Sequence, residues 1–423
     1  MLITPALHIA DRVLDKFGVL KRPLDATAMI EAACGRTGLN DFGCEGVLEP
    51  LQRLLDSTTR EAALSTVGRI ATRWDVLRFL TNLLKMRYAE KSNPCVHQEV
   101  ISAPIFITGL PRTGTTFLHR LMMLDPKVRA PRVWETIFPC PSLSRPDRRL
   151  VQVSRQLRAF ERLAPEFRSL HPLDATSPQE CSEITAHVFR SLRFDTNYNV
   201  PSYRKWLDTS ERETLQAFRF HKRFLQHLQH CSPLDGRQWV LKCPEHVFAL
   251  DAIRSVYPDA RVIFVHRDPV RVLLSIAKLT EVLRRPFTRE LNRREIGRQE
   301  SARWLDGTMR MIAASDHPSF CDPIFHVEHR DLVEKPLITL RRAYAHFGMN
   351  MTQDTTVAVQ QYTAEKPNGG YGPRDYRFED HGLDPREERE KFQPYLVRFG
   401  ITSDSEPQAR RAGRNSPLTV VSL

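Results

Sequence analysis

The stretch "APIFITGLPRTGTTFLHRL", Ala103 to Leu121, decides the fold. It begins as a short apolar run of β-favouring residues and ends that run at Gly109. Gly109 and Gly114 stand at the spacing of the G-x-x-x-x-G-K-[ST] phosphate loop, and Thr116 holds the hydroxyl position. Thr115 occupies the place of the lysine, so the nearest cation is Arg112, inside the loop. From about Gly114 the sequence turns helical. Strand, tight turn and helix in that order expose backbone N–H groups at a helix N-terminus, where the dipole also favours an anion. Thr113, Thr115 and Thr116 add hydroxyls, and the glycines permit the tight backbone path.

A nucleoside-triphosphate site of this kind needs a carboxylate at the end of a neighbouring strand to hold Mg²⁺. The best candidate strand is "RVIFVHRD", 261–268, which ends in His266 and Arg267. Asp268 precedes Pro269 and suits a helix N-cap. An arginine therefore stands where the metal ligand should be. The pattern reads against a Mg–ATP enzyme and for an anion neutralised by protein cations, with no metal. Arg267 lies at the carboxyl end of its strand, where open α/β sheets bind ligands. Ser275 follows eight positions later, and Arg271 shares its helix face. An arginine and a serine can bracket a second phosphate. Two such sites in one core point to a nucleotide phosphorylated in two places.

Further out, residues 1 to about 100 and 140 to about 235 show helical periodicity, as in "ALHIADRVLDKFG" and "LVQVSRQLRAFERL". From Trp239 strands alternate with helices. "WVLK" reads as a strand, 245–256 as a helix, 261–266 as a strand, and the chain from Pro269 as a helix. A later strand and helix end at Gly348. This alternation predicts an α/β fold, a P-loop-like three-layer αβα arrangement around a central, mainly parallel sheet. The helical region 1–100 precedes an α/β domain over 101–400, with 140–235 as a helical insert on the acceptor side. The polar stretch 402–423 reads as a disordered tail.

The bulk numbers narrow the partners. The chain has 423 residues and a net charge of +12, from 62 Lys and Arg against 50 Asp and Glu. It lacks long Lys/Arg blocks and zinc-finger spacing, so nucleic acid is not favoured. The eight cysteines form no Cys-x-x-Cys pair, which fits reduced thiols in a cytoplasm. No window reaches the length of a membrane-spanning helix, and "MLITPALHIADRVLDKFGVL" does not read as a signal peptide. The segment 148–162 reads as an amphipathic helix on the core or, alternatively, on a membrane surface.

The loop Gly109–Thr116, "WVLKCPEHV" (239–247), "VHRDPVRVLLS" (265–275) and, more weakly, "YRFEDHGLD" (376–384) resemble the sulfotransferases that use 3′-phosphoadenosine 5′-phosphosulfate (PAPS). The resemblance is to the bacterial branch with a Gly-Leu-Pro-Arg-Thr-Gly-Thr-Thr loop. It implies that Arg112, Thr113, Gly114, Thr115 and Thr116 hold the 5′-phosphosulfate, and that Arg267 and Ser275 hold the 3′-phosphate. It also implies release of PAP and a catalytic role for Lys242. His246 becomes the expected base towards the acceptor hydroxyl. Glu135 is its main rival, and His171, Glu180 and Glu183 are further candidates. Two departures from the eukaryotic branch stand out. Arg112 replaces its loop lysine, and a permanently protonated arginine stabilises charge rather than donating a proton. The later Arg-Lys-Gly signature is absent, leaving Lys366, Arg374 or Arg377 as substitutes. Sulfuryl transfer is an in-line displacement governed by positioning and electrostatics, which such a site suits. Helical segments rich in Leu, Phe and Arg suit a hydrophobic alcohol, phenol or lipid hydroxyl better than a sugar. Two other classes fit less well: a Mg–ATP small-molecule kinase with a degenerate loop, and a non-catalytic anion- or membrane-binding protein on the same fold.

Overall fold

The computed structural model describes residues 11–402, apart from 45, 142–146, 233–236, 318–323 and 367–376. The expected tail, from residue 403 onward, and Arg374 lie outside the described residues.

Five strands form the central sheet: β1 (Ile105–Gly109), β2 (Val128–Arg129), β3 (Gln238–Lys242), β4 (Arg261–His266) and β5 (Ile324–Glu328). Their order is β2-β3-β1-β4-β5, and every pairing is parallel. The main helices are α1 (Ala26–Thr37), α2 (Leu48–Glu61), α3 (Thr66–Ser92), α4 (Thr115–Met122), α5 (Arg149–Leu163), α6 (Glu211–Cys231), α7 (Leu250–Val256), α8 (Pro269–Arg284), α9 (Arg293–Asp316) and α10 (Pro336–His346).

Alternation along the strands explains the layers, because successive side chains leave opposite faces. Ile105 and Ile107 of β1, Val240 of β3 and Ile263 and Val265 of β4 pack on one face, against α4 and α10. Phe106, Trp239 and Leu241 point the other way and join a core built from α2, α3 and α6. Val262 and Phe264 point that way too, but meet Leu273 and Ile276 of α8 and Trp304 and Met311 of α9. Both faces of the sheet are thus covered, as a parallel sheet requires. Each large apolar side chain withdrawn from water in this way contributes roughly 1.5–3 kcal/mol before the entropy of ordering is subtracted.

The N-terminal helices have no core of their own. Leu51, Phe79, Leu80 and Leu83 share one apolar cluster with Phe189, Phe224 and Leu225 of the 140–235 segment and with three strand residues. α3 begins where the Ser65 hydroxyl accepts from the Gly68 N–H at 3.0 Å, an ordinary N-cap.

Local chemistry sets the other helix starts that matter. The Asp268 carboxylate accepts from the Val270 N–H at 3.0 Å, and Pro269 supplies the first helical residue of α8. The helix expected over 245–256 divides into a 3₁₀ turn, Pro244–Phe248, and α7. Ala249 breaks it, with φ −130° and ψ 17° outside the helical region. On α5, Val153 and Leu157 pack inward, as an amphipathic helix on the core requires, but Leu150 is exposed.

Candidate functional site

The register of the sheet assembles the site. Gly109 pairs with Val265, so the loop after β1 and the "HRDP" turn after β4 leave the sheet side by side. The approach is close enough to demand glycine. A Cβ on Gly109, at φ 137°, would lie 2.4 Å from the Val265 carbonyl oxygen. Gly114 has φ 97° and begins α4, where a Cβ would meet His329 Nδ1 at 3.0 Å. Arg112 also adopts a left-handed φ of 63°, unusual for a residue with a side chain.

That conformation turns Arg112 towards the second predicted anion site. Its Nε donates to the Ser275 hydroxyl at 3.2 Å, and Arg267 Nη1 donates to the Arg112 carbonyl at 3.0 Å. Residues from two stretches some 160 positions apart therefore form one cluster. Thr115 and Thr116 open onto the adjacent cavity with Pro111 and Arg112. Thr113 does not present its hydroxyl: it is fully buried and donates to the Leu110 carbonyl at 2.7 Å, bracing the loop from within. His329, just beyond β5, is a further brace that sequence reasoning missed. Its Nδ1 lies 2.9 Å from the Thr113 carbonyl and, as the donor of the pair, fixes the ring tautomer. The only cue was its place at the carboxyl end of a strand.

On the other side of β1, β3 brings "KCPEH" to the loop. The Thr108 hydroxyl donates to the Pro244 carbonyl at 3.1 Å, and the Cys243 N–H to the Ile107 carbonyl at 3.3 Å. Lys242 is buried and its ammonium pairs with the Glu180 carboxylate. Glu180 arrives there because it bridges Lys242 in parallel, extending the sheet by one rung. Burial works to raise the Glu180 carboxyl, but the charge and hydrogen bond of Lys242 hold it below its usual range, so it is ionised at neutral pH. Burial pushes His171 down to about 4, leaving it neutral.

Arg112, Thr116, His171, Glu180 and Glu245 line one end of a cavity of about 660 Å³. The rest of its wall is largely apolar, with Trp74, Leu157, Phe160, Phe167, Leu279 and Phe287 among its contributors. Glu245 has no hydrogen-bond partner for its carboxyl among the described residues. Desolvation, with Glu180 adding repulsion, raises it to about 8. One carboxyl of the pair is thus ionised and the other protonated near neutrality.

The remaining predicted residues sit elsewhere. His246 is 2 % exposed, its ring between Phe106 and Phe218, with neither ring nitrogen hydrogen-bonded. Desolvation holds it well below the usual histidine range. It faces a separate small cavity of about 70 Å³ beside Cys181 and Cys243 and does not line the large one. Glu135 accepts from the Arg132 N–H at 2.8 Å, closing the N-terminus of its own short helix, and also stays off the large cavity. Glu183 lines the cavity but is clamped by Arg78 at 2.7 Å and Arg193 at 2.8 Å. Asp268, the nearest approximation to a metal carboxylate, is buried. Its second oxygen accepts from Arg389 Nη2 at 2.7 Å. Of the suggested C-terminal cations, Lys366 lies over the Tyr362 ring and Arg377 is exposed. Among the described residues, no group of three or more His, Cys, Asp or Glu side chains is placed to hold a metal ion.

Known proteins resemble this chain in sequence and fold. Residues 104–354 match the model of the sulfotransferase family. The omega-hydroxy-beta-dihydromenaquinone-9 sulfotransferase Stf3 of Mycobacterium bovis is 24% identical over 282 residues, 63% of this chain and 68% of that protein. The crystal structure of sulfotransferase STF1 from Mycobacterium tuberculosis H37Rv superposes with a TM-score of 0.77 at 28% identity, covering 88% of this chain and 100% of that one. Sulfotransferase STF9 from Mycobacterium avium gives a TM-score of 0.80 at 25% identity, covering 89% and 97%. With the family match spanning more than half of the chain and every strand of the sheet, this protein belongs to the sulfotransferase family.

Proposed function

We propose that this sulfotransferase moves a sulfuryl group from PAPS to the hydroxyl of an apolar alcohol, phenol or lipid. The observation that carries the reading is that the large cavity has a mainly apolar wall and also reaches Arg112, Thr116 and Glu180. An apolar acceptor would fill the wall and present its hydroxyl at the charged end. The relative named for an omega-hydroxy-beta-dihydromenaquinone-9 acceptor supports the same class.

The residues present suit PAPS. The 5′-phosphosulfate fits the Arg112 guanidinium, the Thr115 and Thr116 hydroxyls and the N-terminal N–H groups of α4. The 3′-phosphate fits Arg267 and Ser275. When bound, the co-substrate supplies a sulfuryl group already activated by its phosphate leaving group. Glu180 takes the acceptor proton as the new O–S bond forms and the S–O bond to the leaving phosphate breaks. Lys242 orients Glu180 and keeps it ionised. Arg112 stabilises charge on the departing oxygen without giving up a proton.

Glu180 serves better as base than the histidine favoured by sequence, because His246 is walled off by aromatic rings while Glu180 faces the cavity. The protonated Glu245 can donate a hydrogen bond to the acceptor oxygen. Above about pH 8 it ionises beside Glu180 and adds a second negative charge at the point where an anionic co-substrate must bind. Turnover should therefore fall as pH rises through about 8. In Glu245→Gln that alkaline fall should vanish. A pH–rate profile unchanged by the substitution would remove Glu245 from the site's chemistry.

The nucleotide assignment is tested by thermal unfolding with PAP, with and without a chelator. At a hundredfold excess over Kd, ligand binding stabilises by about 2.7 kcal/mol. The expected result is a clear rise in Tm that the chelator leaves unaltered. No rise, or a rise only with added Mg²⁺ and ATP, would overturn the PAPS reading.

A further inference from the structure

The mouth of the large cavity has an unusual rim. Ile70, Trp74 and Leu163 all line the cavity, yet they are 65 %, 44 % and 41 % exposed. Ile70 and Trp74 lie one turn apart on α3, and Leu163 ends α5, so apolar side chains from two helices stand in water around one opening. Adjacent large apolar groups left exposed in this way mark a binding surface more often than isolated ones do.

Charge surrounds the same rim. On α5, Val151, Arg155, Arg158 and Arg162 recur at helical spacing along the exposed face, while Gln156, Leu157 and Phe160 face the cavity. Arg73 is exposed on α3 beside Trp74. None of these four arginines makes an ion pair or hydrogen bond among the described residues, although the protein pairs its arginines freely elsewhere, as in Arg53–Glu49 and Arg310–Asp306. The one carboxylate within α5 is Glu161. Apolar residues at an opening, ringed by unpaired arginines, match the interface of an anionic bilayer: the first enter the acyl boundary and the second meet the phosphates.

We infer that the α3–α5 rim docks on an anionic lipid membrane and opens the acceptor cavity directly towards it. Ile70, Trp74 and Leu163 insert, and Arg73, Arg155, Arg158 and Arg162 contact lipid headgroups. Among the described residues no helix is long and apolar enough to cross a membrane, so contact of this kind is peripheral. A lipidic acceptor would then pass from bilayer to cavity without crossing water. That last step rests on the apolar-acceptor reading, whereas the docking does not.

Co-sedimentation of the full chain, without nucleotide or acceptor, tests the docking on two kinds of vesicle. One is phosphatidylcholine alone, and the other contains about one-third phosphatidylglycerol. Binding is expected on the anionic vesicles and is expected to weaken steeply with salt. Each basic side chain at the surface is worth about fivefold in partitioning, so Arg155→Gln, Arg158→Gln and Arg162→Gln together should weaken it about 100-fold. These three side chains lie outside the catalytic cluster. Turnover of a short water-soluble phenol should therefore be unaltered in the triple variant, while turnover of an acceptor embedded in vesicles falls. Failure to bind anionic vesicles would overturn the inference, as would equal binding by wild type and triple variant. Inorganic phosphate should weaken binding no more than chloride at the same ionic strength. Greater loss with phosphate than with chloride at matched ionic strength would reassign the rim to soluble anions and likewise overturn membrane docking. Absence of sulfate transfer to any acceptor, with vesicle binding intact, would count against the function proposed above and leave the docking standing.

Discussion

Glu180→Gln is expected to lower kcat by about 10²- to 10⁴-fold, the usual contribution of a positioned acid or base, while PAP binding stays close to wild type. Glutamine is the informative replacement. Its amide oxygen still accepts from Lys242, so the rung that carries residue 180 is kept while the proton acceptor is lost. The buried ammonium loses its countercharge, and removing one partner of a fully buried pair can cost about 3–5 kcal/mol. The cost here should be smaller, because the Glu180 side chain retains 28% of its exposure. Thermal melts separate that effect from catalysis. Adding Lys242→Met to Glu180→Gln should recover stability and leave turnover low. Near-normal kcat in a folded Glu180→Gln protein would refute Glu180 as base.

Arg112→Ala is expected to reduce kcat by about 10²- to 10³-fold, as for the loss of one preorganised electrostatic donor, and to weaken PAP binding by tenfold or more. The second effect is expected because the Arg112 guanidinium, proposed to meet the 5′-phosphosulfate, also donates to Ser275 of the proposed 3′-phosphate site. The backbone complicates the reading. Alanine at φ 63° remains strained, whereas glycine is at ease there. Arg112→Gly should therefore fold at least as well as Arg112→Ala and be equally impaired. Arg112→Lys restores charge but not the planar fork, so partial recovery is expected. Isothermal titration with PAP and steady-state kinetics check both variants. Recovery of activity in Arg112→Gly would show that the alanine defect came from the backbone and not from the lost guanidinium.

The parts of this protein that local chemistry dictates could be read from its sequence. Gly109 and Gly114 are required by backbone paths that no side chain tolerates, and Asp268–Pro269 is a helix start written in two residues. Alternating strands and helices after Trp239 fixed a parallel sheet. What escaped reading depends on residues far apart in the chain. Glu180 meets Lys242 at the cavity only because a single bridge sets it there, 62 positions away, and no periodicity encodes such a rung. His246 looked reactive beside Lys242 and Pro244. Its burial is decided by Phe106 and Phe218, neither of which is its neighbour in sequence. β2, at two residues, is too short for any pattern to reveal.

The shared core of the N-terminal helices also governs how the chain can be made. α2 and α3 leave the ribosome early, but the apolar cluster they join also needs Phe189 and Phe194, α6, and Trp239 and Leu241 of β3. The gap between the end of α3 and Leu241 is about 150 residues, or roughly 7–30 s of synthesis at ordinary elongation rates. During that interval Phe79 can meet the rings of Phe189 and Phe194 only once their segment is made, and Leu241 of the same cluster comes later still. α2 and α3 therefore carry apolar surface that segments made later must cover before the core is complete.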